Sequence, residues 1–199
     1  MPARRTARKA RRPDGPPRVA VLVETSTSWG RHIVAGIHEY HHRGQPWQLF
    51  IEARGANEHL RVPRNWSGDG VIARVATPLM AAELRALRIP VVNVSAIQLP
   101  GVRFPRVQHD TAAGAAMAAR YLGERGFRHF AYFSLLDLPY VAAQQLAFRA
   151  AVRRLGGTYS ACAVRPGRGA EPDWNLDPAP LLAWLRSLPK PAGDRKSVV

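Results

Sequence analysis

Apolar and polar positions follow two different periods along the chain, and they predict strands and helices in turn. Near the start, VAVLVE is a short continuous apolar run, typical of a strand buried on both faces of a parallel sheet. Apolar Ile33, Ile37 and Tyr40 then recur at helical spacing until Gly44-Gln45-Pro46 ends the helix. The segments WQLFIEA, DGVIARV and IPVVNV predict three further strands, with a helix over 78–87 between the last two.

The second half of the chain continues the same alternation. A short strand over 105–110 is expected first, and Thr111 then caps an Ala-rich helix that closes on Gly126. The strand HFAYFS, a helix over 140–155, the weaker strand YSACAV and a helix over 178–188 follow. Strands that alternate with helices at this spacing predict an α/β fold with parallel sheets and right-handed crossovers.

The N-terminal segment lacks any apolar periodicity. Residues 1–17 are rich in arginine and end in Pro-Asp-Gly-Pro-Pro, so they are predicted to form a disordered basic tail. The alternative is an arm that makes weak nonspecific contact with nucleic acid. We find no run of 18 apolar residues and no apolar segment behind the N-terminal charges, so we expect no membrane span, no secretion signal and a cytoplasmic location. The single cysteine, Cys162, agrees with a reducing compartment.

The net charge of +15 favours a nucleic-acid partner, because arginine and lysine gain affinity for phosphates by releasing counterions. Two observations weaken that interpretation. Only 3 of the 29 basic residues are lysine, which is typical of the drift of a GC-rich genome towards arginine. Outside the tail the basic residues are scattered and form no stripe.

Enzyme signatures are missing from the sequence. It contains no G-x-S-x-G, no G-x-x-x-x-G-K-[ST], no H-E-x-x-H and no G-x-G-x-x-G after the first strand. His38, His41 and His42 have a spacing that a metal ion could use, but the lack of nearby cysteine and the scarcity of acid weigh against a metal site. We therefore expect a protein without catalytic activity, cofactor or metal.

Polar side chains follow several predicted strands at their carboxyl ends, where open α/β sheets bind ligands. Ser26, Trp29 and Arg31 belong to the loop after the first strand, Ser95 follows IPVVNV, and Asp110 follows the segment 105–109. An indole that stacks on a sugar face, together with arginine and aspartate that bond vicinal hydroxyls, suits recognition of a polyol. The alternative is structural: Trp29 packs in a core and Asp110 caps a helix.

Five segments now resemble a known family in both order and spacing. They are VAVLVETSTSWGRHIVAGIHEYHHRGQPWQLFIE, WSGDGVIARV, LRIPVVNVSA, VQHDTAAGAAMAARYLGERGFRHFAYFS and LAFRAAV. Together, over about residues 18–193, they resemble the ligand-binding part of xylose operon regulatory proteins. That family joins a LacI/GalR-type, periplasmic-binding-protein-like (type I) module to a C-terminal AraC-type helix-turn-helix domain.

The resemblance implies two lobes, each a parallel sheet flanked by helices, with a sugar held between them. The first lobe would span 18–126 and be mostly present, and 127–193 would be a truncated second lobe. Ser26, Trp29, Arg31, Ser95 and Asp110 would contact the ligand. Gln144 would join them, although it stands where family members usually place an arginine shortly before Ala-Phe-Arg. This departure leaves the identity of the ligand open.

The resemblance also implies a function. The chain would be the sugar-sensing module, for a xylose-like sugar, of a cytoplasmic transcription regulator that forms a homodimer and binds DNA through a C-terminal domain missing here. A sugar-binding receptor of a transport system is the alternative with the same fold. Residues 194–199 match none of the family's continuation but do match a translated sequencing adapter, so we expect a non-native tail without structure; an ordinary polar tail is the alternative.

Overall fold

The structure, a computed structural model, describes residues 15–44, 46–52, 60–62, 66–134, 139–164 and 178–197. Contacts within the chain divide it into two units, residues 1–108 and residues 109–199. Each unit contains one parallel sheet with helices and a hydrophobic core of its own. The predicted α/β class with parallel sheets is confirmed.

The first unit alternates strands and helices as its apolar pattern predicts. Its elements are β1 (Arg18–Leu22), α1 (Ser28–Arg43), β2 (Gln48–Ile51), β3 (Gly70–Ala73), α2 (Pro78–Ala86) and β4 (Val91–Asn93). The sheet has the order β2-β1-β3-β4, and each neighbouring pair is parallel. Because β1 has a partner on both sides, its residues Val19–Leu22 are buried, as expected of a continuous apolar run.

The core of the first unit lies against one helix of the chain. Met80, Ala81 and Leu84 of α2 pack on the apolar side chains of β1, β3 and β4. They recur at positions three and four apart, so they share one face of the helix. This packing leaves the carboxyl ends of the strands for the loops that begin α1 and α2.

One expected strand of the first unit does not form. The segment 105–110 makes only an isolated parallel bridge between Asn93 and Arg106. Two backbone hydrogen bonds support the bridge, from the Asn93 N–H to the Pro105 carbonyl and from the Val107 N–H to the Asn93 carbonyl. Since β4 is only three residues long, it offers the segment little backbone to pair with.

The second unit continues the alternation. Its elements are α3 (Thr111–Glu124), β5 (His129–Ser134), α4 (Pro139–Arg154), β6 (Thr158–Ala163), α5 (Ala179–Ser187) and β7 (Ala192–Ser197). The sheet has the order β6-β5-β7, with both pairs parallel. Phe148 of α4 is fully buried and contacts the rings of Phe130, Tyr132 and Tyr159, so aromatic side chains dominate this core.

The division between the units lies one helix earlier than the sequence analysis placed it. The contacts separate the units after Gln108, whereas the predicted lobes meet after Gly126. The difference is α3, because its buried Ala115 and Ala119 pack in the core of the second unit with Phe148 and Val152 of α4. Small alanine side chains let the two helices approach closely.

The expectation that residues beyond Gly193 carry no structure was wrong. Asp194–Ser197 belong to β7, which pairs with β5 from His129↔Ala192 to Ser134↔Ser197. Parallel pairing uses backbone N–H and C=O groups, which every residue except proline supplies, so a strand can form without apolar periodicity. Val198 and Val199 lie outside the described residues.

Most of the predicted basic tail, residues 1–14, also lies outside the described residues. Its last residue, Pro17, accepts a 2.7 Å hydrogen bond from the Gln48 N–H, so this residue contacts the start of β2. Among the described residues, every helix is too short or too polar to cross a membrane.

Candidate ligand-binding site

The loop between β1 and α1 places Ser26 and Trp29 at the carboxyl edge of the first sheet. Thr27 caps α1, because its hydroxyl accepts the Gly30 N–H at 3.1 Å and itself donates to the Glu24 carbonyl at 3.1 Å. Ser26 is exposed and Trp29 is half-buried. The sequence analysis placed both residues at this edge, and the structure agrees with that position.

Gly30 allows the first turn of α1 to approach the end of β1 closely. A Cβ atom at this position would lie 1.8 Å from the Glu24 carbonyl oxygen and 3.2 Å from the Thr27 hydroxyl. Both atoms are held in place by the sheet and the helix cap, so only glycine fits. The shape of the loop therefore depends on one residue without a side chain.

Arg31 folds back onto the loop. Its Nη1 atom donates to the Ser26 carbonyl at 2.7 Å and to the Thr25 carbonyl at 3.1 Å. These bonds hold the backbone of the loop over the start of α1, while the rest of the exposed guanidinium stays accessible.

Glu24 and Arg74 form a salt bridge at the same edge, and the sequence analysis missed both. Glu24 is the second residue after β1 and is only 6% exposed, whereas Arg74 directly follows β3. The Arg74 Nη1 atom lies 2.5 Å from Glu24 Oε1, and the Arg74 side chain is 20% exposed. The guanidinium carbon lies 6.0 Å from the centroid of the Trp29 ring, at the outer limit of a cation–π contact. One signal could have found them: each is a charged residue within two positions of the end of a buried strand.

Ser95 is placed differently from Ser26. It is fully buried, and its hydroxyl accepts the Ile97 N–H at 3.1 Å. Its carbonyl accepts side-chain donors from Arg106 at 2.7 Å and from Gln108 at 2.6 Å. Ser95 therefore fastens the segment after β4 to the bridge segment and presents no accessible surface.

Asn93 joins the ends of two neighbouring strands. Its side-chain oxygen accepts the Val75 N–H at 3.2 Å and the Ser95 N–H at 2.8 Å, and the residue is 3% exposed. A buried amide that satisfies two backbone donors fixes the loops after β3 and β4 relative to each other. The position of Arg74, which follows β3, depends on this connection.

Two predicted site residues belong to the second unit. Asp110 is exposed and caps α3, since its Oδ1 atom accepts the Ala113 N–H at 2.9 Å. This is the structural role that the sequence analysis kept as an alternative, and it uses only one carboxylate oxygen. Gln144 is half-buried on α4 and also has an interaction partner.

The opposite edge of the first sheet carries a similar set of residue types. The Arg18 guanidinium carbon lies 5.0 Å from the Phe50 ring centroid and 5.6 Å from the Trp66 ring centroid. Asp69 is exposed and accepts the Arg18 backbone N–H at 2.8 Å. We name these four residues the amino-edge cluster, and they connect the starts of β1, β2 and β3.

Three histidines of α1, His38, His41 and His42, lie near one another. The Nε2 atoms of His38 and His42 are 2.9 Å apart, and the His41 Nδ1 atom accepts the Trp47 N–H at 2.8 Å. In the part of the chain that the structure describes, no group of three or more histidine, cysteine, aspartate or glutamate residues is arranged to hold a metal ion.

Residues 18–113 match the family profile described as the XylR N-terminal domain. The matched residues contain the whole carboxyl edge of the first sheet, including Glu24, Arg74 and the loop that begins α1. The match continues through Asp110 into the first turn of α3.

Relatives of known name align with most of the chain. The chain is 26% identical over 183 residues to the xylose operon regulatory protein of Escherichia coli K12, an alignment that covers 88% of this chain. A solved structure titled xylose-binding transcription activator xylR superposes with a TM-score of 0.71 at 24% identity, and the superposition covers 92% of this chain and 47% of that one. A LacI family regulator from Enterococcus faecium with bound ribose superposes with a TM-score of 0.57 at 18% identity, covering 74% of this chain and 57% of that one.

The chain spans about half the length of the curated relatives it matches, since the alignment covers 46% of the Escherichia coli protein. The relatives are named as regulators and not as enzymes. The structural likenesses show the fold, and the family match covers the residues that form the carboxyl edge of the first sheet.

Proposed function

We propose that this chain contains the sugar-sensing domain of a transcription regulator, and that the carboxyl edge of the first sheet contacts the sugar. One observation carries the proposal: the residues that match the XylR N-terminal domain bring a buried Glu24–Arg74 pair and the Trp29 ring to this edge. Open α/β sheets bind ligands at the carboxyl ends of their strands. The names of the relatives favour regulation over the alternative of a transport receptor.

The chemistry of the Glu24–Arg74 pair suits an uncharged ligand with several hydroxyl groups. Arg74 supplies N–H donors and Glu24 supplies carboxylate acceptors, and a hydroxyl can bond to both kinds of group. Because the two charges neutralise each other, the site gains little from a charged ligand. The Trp29 ring offers a flat face for the C–H groups of a sugar. A xylose-like sugar fits these requirements, and xylose is the sugar in the names of the relatives.

The predicted contact residues divide into two roles within this proposal. At the carboxyl edge of the first sheet, Ser26, Trp29 and the accessible part of Arg31 contact the ligand, whereas Asp110 and Gln144 stay predictions for ligand contact. Ser95 acts indirectly because it is buried: it holds the segment after β4 in place. Asp110 keeps one carboxylate oxygen available while the other caps α3.

The complete regulator would convert sugar binding into a change in DNA binding, without making or breaking a covalent bond. A ligand shifts a protein between two states only by the difference in its affinity for them. We propose a cytoplasmic homodimer whose DNA contacts come from a helix-turn-helix domain. The names of the relatives support the role in transcription regulation.

Calorimetric titration of the complete regulator that contains this chain with D-xylose tests the proposal, with D-xylonate as the charged comparison. We expect D-xylose to bind and D-xylonate to bind more weakly. Asp110→Ala should lower the affinity for D-xylose about tenfold to hundredfold, because it removes a hydrogen bond to a charged acceptor worth about 1.5–3 kcal/mol.

Asp110→Asn is the matched control, because asparagine caps helices as well as aspartate does but carries no charge. If Asp110 contacts the sugar, both variants lose affinity and only Asp110→Ala loses stability. Unchanged affinity in both variants would show that Asp110 is a helix cap alone. The absence of binding to any pentose or hexose would contradict the sensing function itself.

A further inference from the structure

Helix α1 brings two histidine rings together on its exposed surface. His38 and His42 are four residues apart, so they lie one helical turn apart on the same face. Their Nε2 atoms are 2.9 Å apart, and their ring planes meet at 87° with centroids 4.2 Å apart. Both side chains are exposed, so an ion from solution can reach them.

The separation of the two nitrogens matches the geometry of a chelate. A metal ion with Nε2 ligands about 2.0–2.1 Å away and at right angles to each other holds those nitrogens about 2.9 Å apart. A tetrahedral ion would need them about 3.4 Å apart. Right angles between nitrogen ligands are typical of tetragonal Cu²⁺ and Ni²⁺.

We propose that His38 and His42 form a two-nitrogen site for Cu²⁺ or Ni²⁺, with water in the other coordination positions. Without metal, a ring N–H of one histidine donates to the other ring. When a metal ion binds both Nε2 atoms, the proton between them moves to Nδ1 of its own ring, so both histidines stay neutral. The site is independent of the sugar-sensing proposal, since it involves neither the carboxyl edge of the first sheet nor the second unit.

The neighbouring side chains His41 and Glu39 already have partners, so the site has two protein ligands. His41 already uses its Nδ1 atom to accept the Trp47 N–H at 2.8 Å. Glu39 forms a 2.6 Å salt bridge with Arg43 on the same helix. Because both groups are engaged, the two-nitrogen chelate is the part of α1 ready to bind an ion without rearrangement.

Calorimetric titration of the tag-free chain with NiCl₂ and, separately, CuCl₂ tests this site. His38→Ala and His42→Ala should each lower the affinity at least about tenfold, because the second ligand of a chelate binds at high effective concentration. His32→Ala is the matched control, since His32 is also exposed on α1 but more than one turn away from His38. This control should bind like the unmodified chain, and Zn²⁺ should bind more weakly than Cu²⁺.

Circular dichroism distinguishes a lost ligand from a damaged helix, and each variant should keep the helix content of the unmodified chain. In electron paramagnetic resonance, the Cu²⁺ signal should show coupling to two nitrogens and lose one in His38→Ala. Equal affinity in the unmodified chain and in both variants would overturn the proposal. An equal loss in His32→Ala would overturn it too, because the ion would then bind elsewhere.

Discussion

The two edges of the first sheet use the same residue types for different purposes. At the amino edge, Arg18 lies against Phe50 and Trp66, and its backbone N–H bonds to the exposed Asp69. At the carboxyl edge, Arg74 lies near Trp29 and pairs with Glu24, which is 6% exposed.

Burial separates the two arrangements. A carboxylate in water keeps its hydration and gains little from an arginine nearby, whereas a buried carboxylate depends on its partner. Losing a charge from the amino-edge cluster should therefore lower the free energy of unfolding only slightly. The carboxyl edge holds a charge pair that needs a defined geometry, which is the property required of a ligand site.

Replacing a glycine should give the largest difference in the free energy of unfolding between the two edges. Gly30→Ala should lower the free energy of unfolding by about 3 kcal/mol, because its Cβ would meet the Glu24 carbonyl at 1.8 Å and the backbone there cannot move. Gly68→Ala at the amino edge should cost about 1–2 kcal/mol, since its nearest obstacle is the half-buried Trp66 ring at 2.0 Å and the nearest backbone atom, the Arg18 carbonyl oxygen, is 2.8 Å away rather than 1.8 Å. Urea denaturation measures both values.

Gly36→Ala is the control for the glycine comparison. Gly36 lies within α1, and a Cβ atom there would meet nothing within 4 Å. Alanine should therefore stabilise the unit by about 0.5–1 kcal/mol through helix propensity. A Gly68→Ala variant less stable than Gly30→Ala would show that the close approach at the carboxyl edge is not the tighter one.

Replacing the carboxylates Glu24 and Asp69 should give the next largest difference in the free energy of unfolding. Glu24→Ala leaves Arg74 half-buried without its partner and should cost about 2–3 kcal/mol, near the lower end for a broken buried pair because the Arg74 side chain is 20% exposed. Asp69→Ala removes an exposed acceptor and should cost about 0.5–1 kcal/mol. Unfolding of both variants in urea gives the comparison, and equal losses would mean that burial does not separate the two edges.

An effect as small as that of Asp69→Ala is expected for the arginine of the amino edge. Arg18→Ala removes contacts with Phe50 and Trp66 and a 2.9 Å hydrogen bond to the Ser67 hydroxyl, so it should cost about 0.5–1 kcal/mol. The affinity for D-xylose should stay within about twofold of the unmodified chain, since effects at distant sites are independent. A tenfold loss in the same titration would place the amino-edge cluster in the ligand response.

The apolar pattern predicted most elements because parallel strands and packed helices impose different periods. HFAYFS was predicted as a strand, and it forms β5 over the same six residues, His129–Ser134. The pattern failed where backbone bonding decides the structure. It predicted a strand at 105–110, where only a bridge forms, and no strand at 192–197, where β7 pairs with β5.

The candidate site was predictable in position but not in its contacts. The carboxyl-edge rule correctly located the loop with Ser26, Trp29 and Arg31. It could not show that Ser95 is buried or that Arg31 bonds to its own loop, because both depend on how the chain turns after a strand. Glu24 and Arg74 are 50 residues apart in sequence, and only the parallel register of β1 and β3 brings them together.

That register has a consequence for how the length of the chain can change over evolution. Leu22 pairs with Ala73, and the Glu24–Arg74 salt bridge lies just beyond this pair. Inserting one residue within β1 would turn every later side chain of the strand to the opposite face and separate Glu24 from Arg74. Insertions between Ile51 and Gly70 precede β3 and leave the register intact. Natural length variation in this domain should therefore concentrate between β2 and β3 and be excluded from β1.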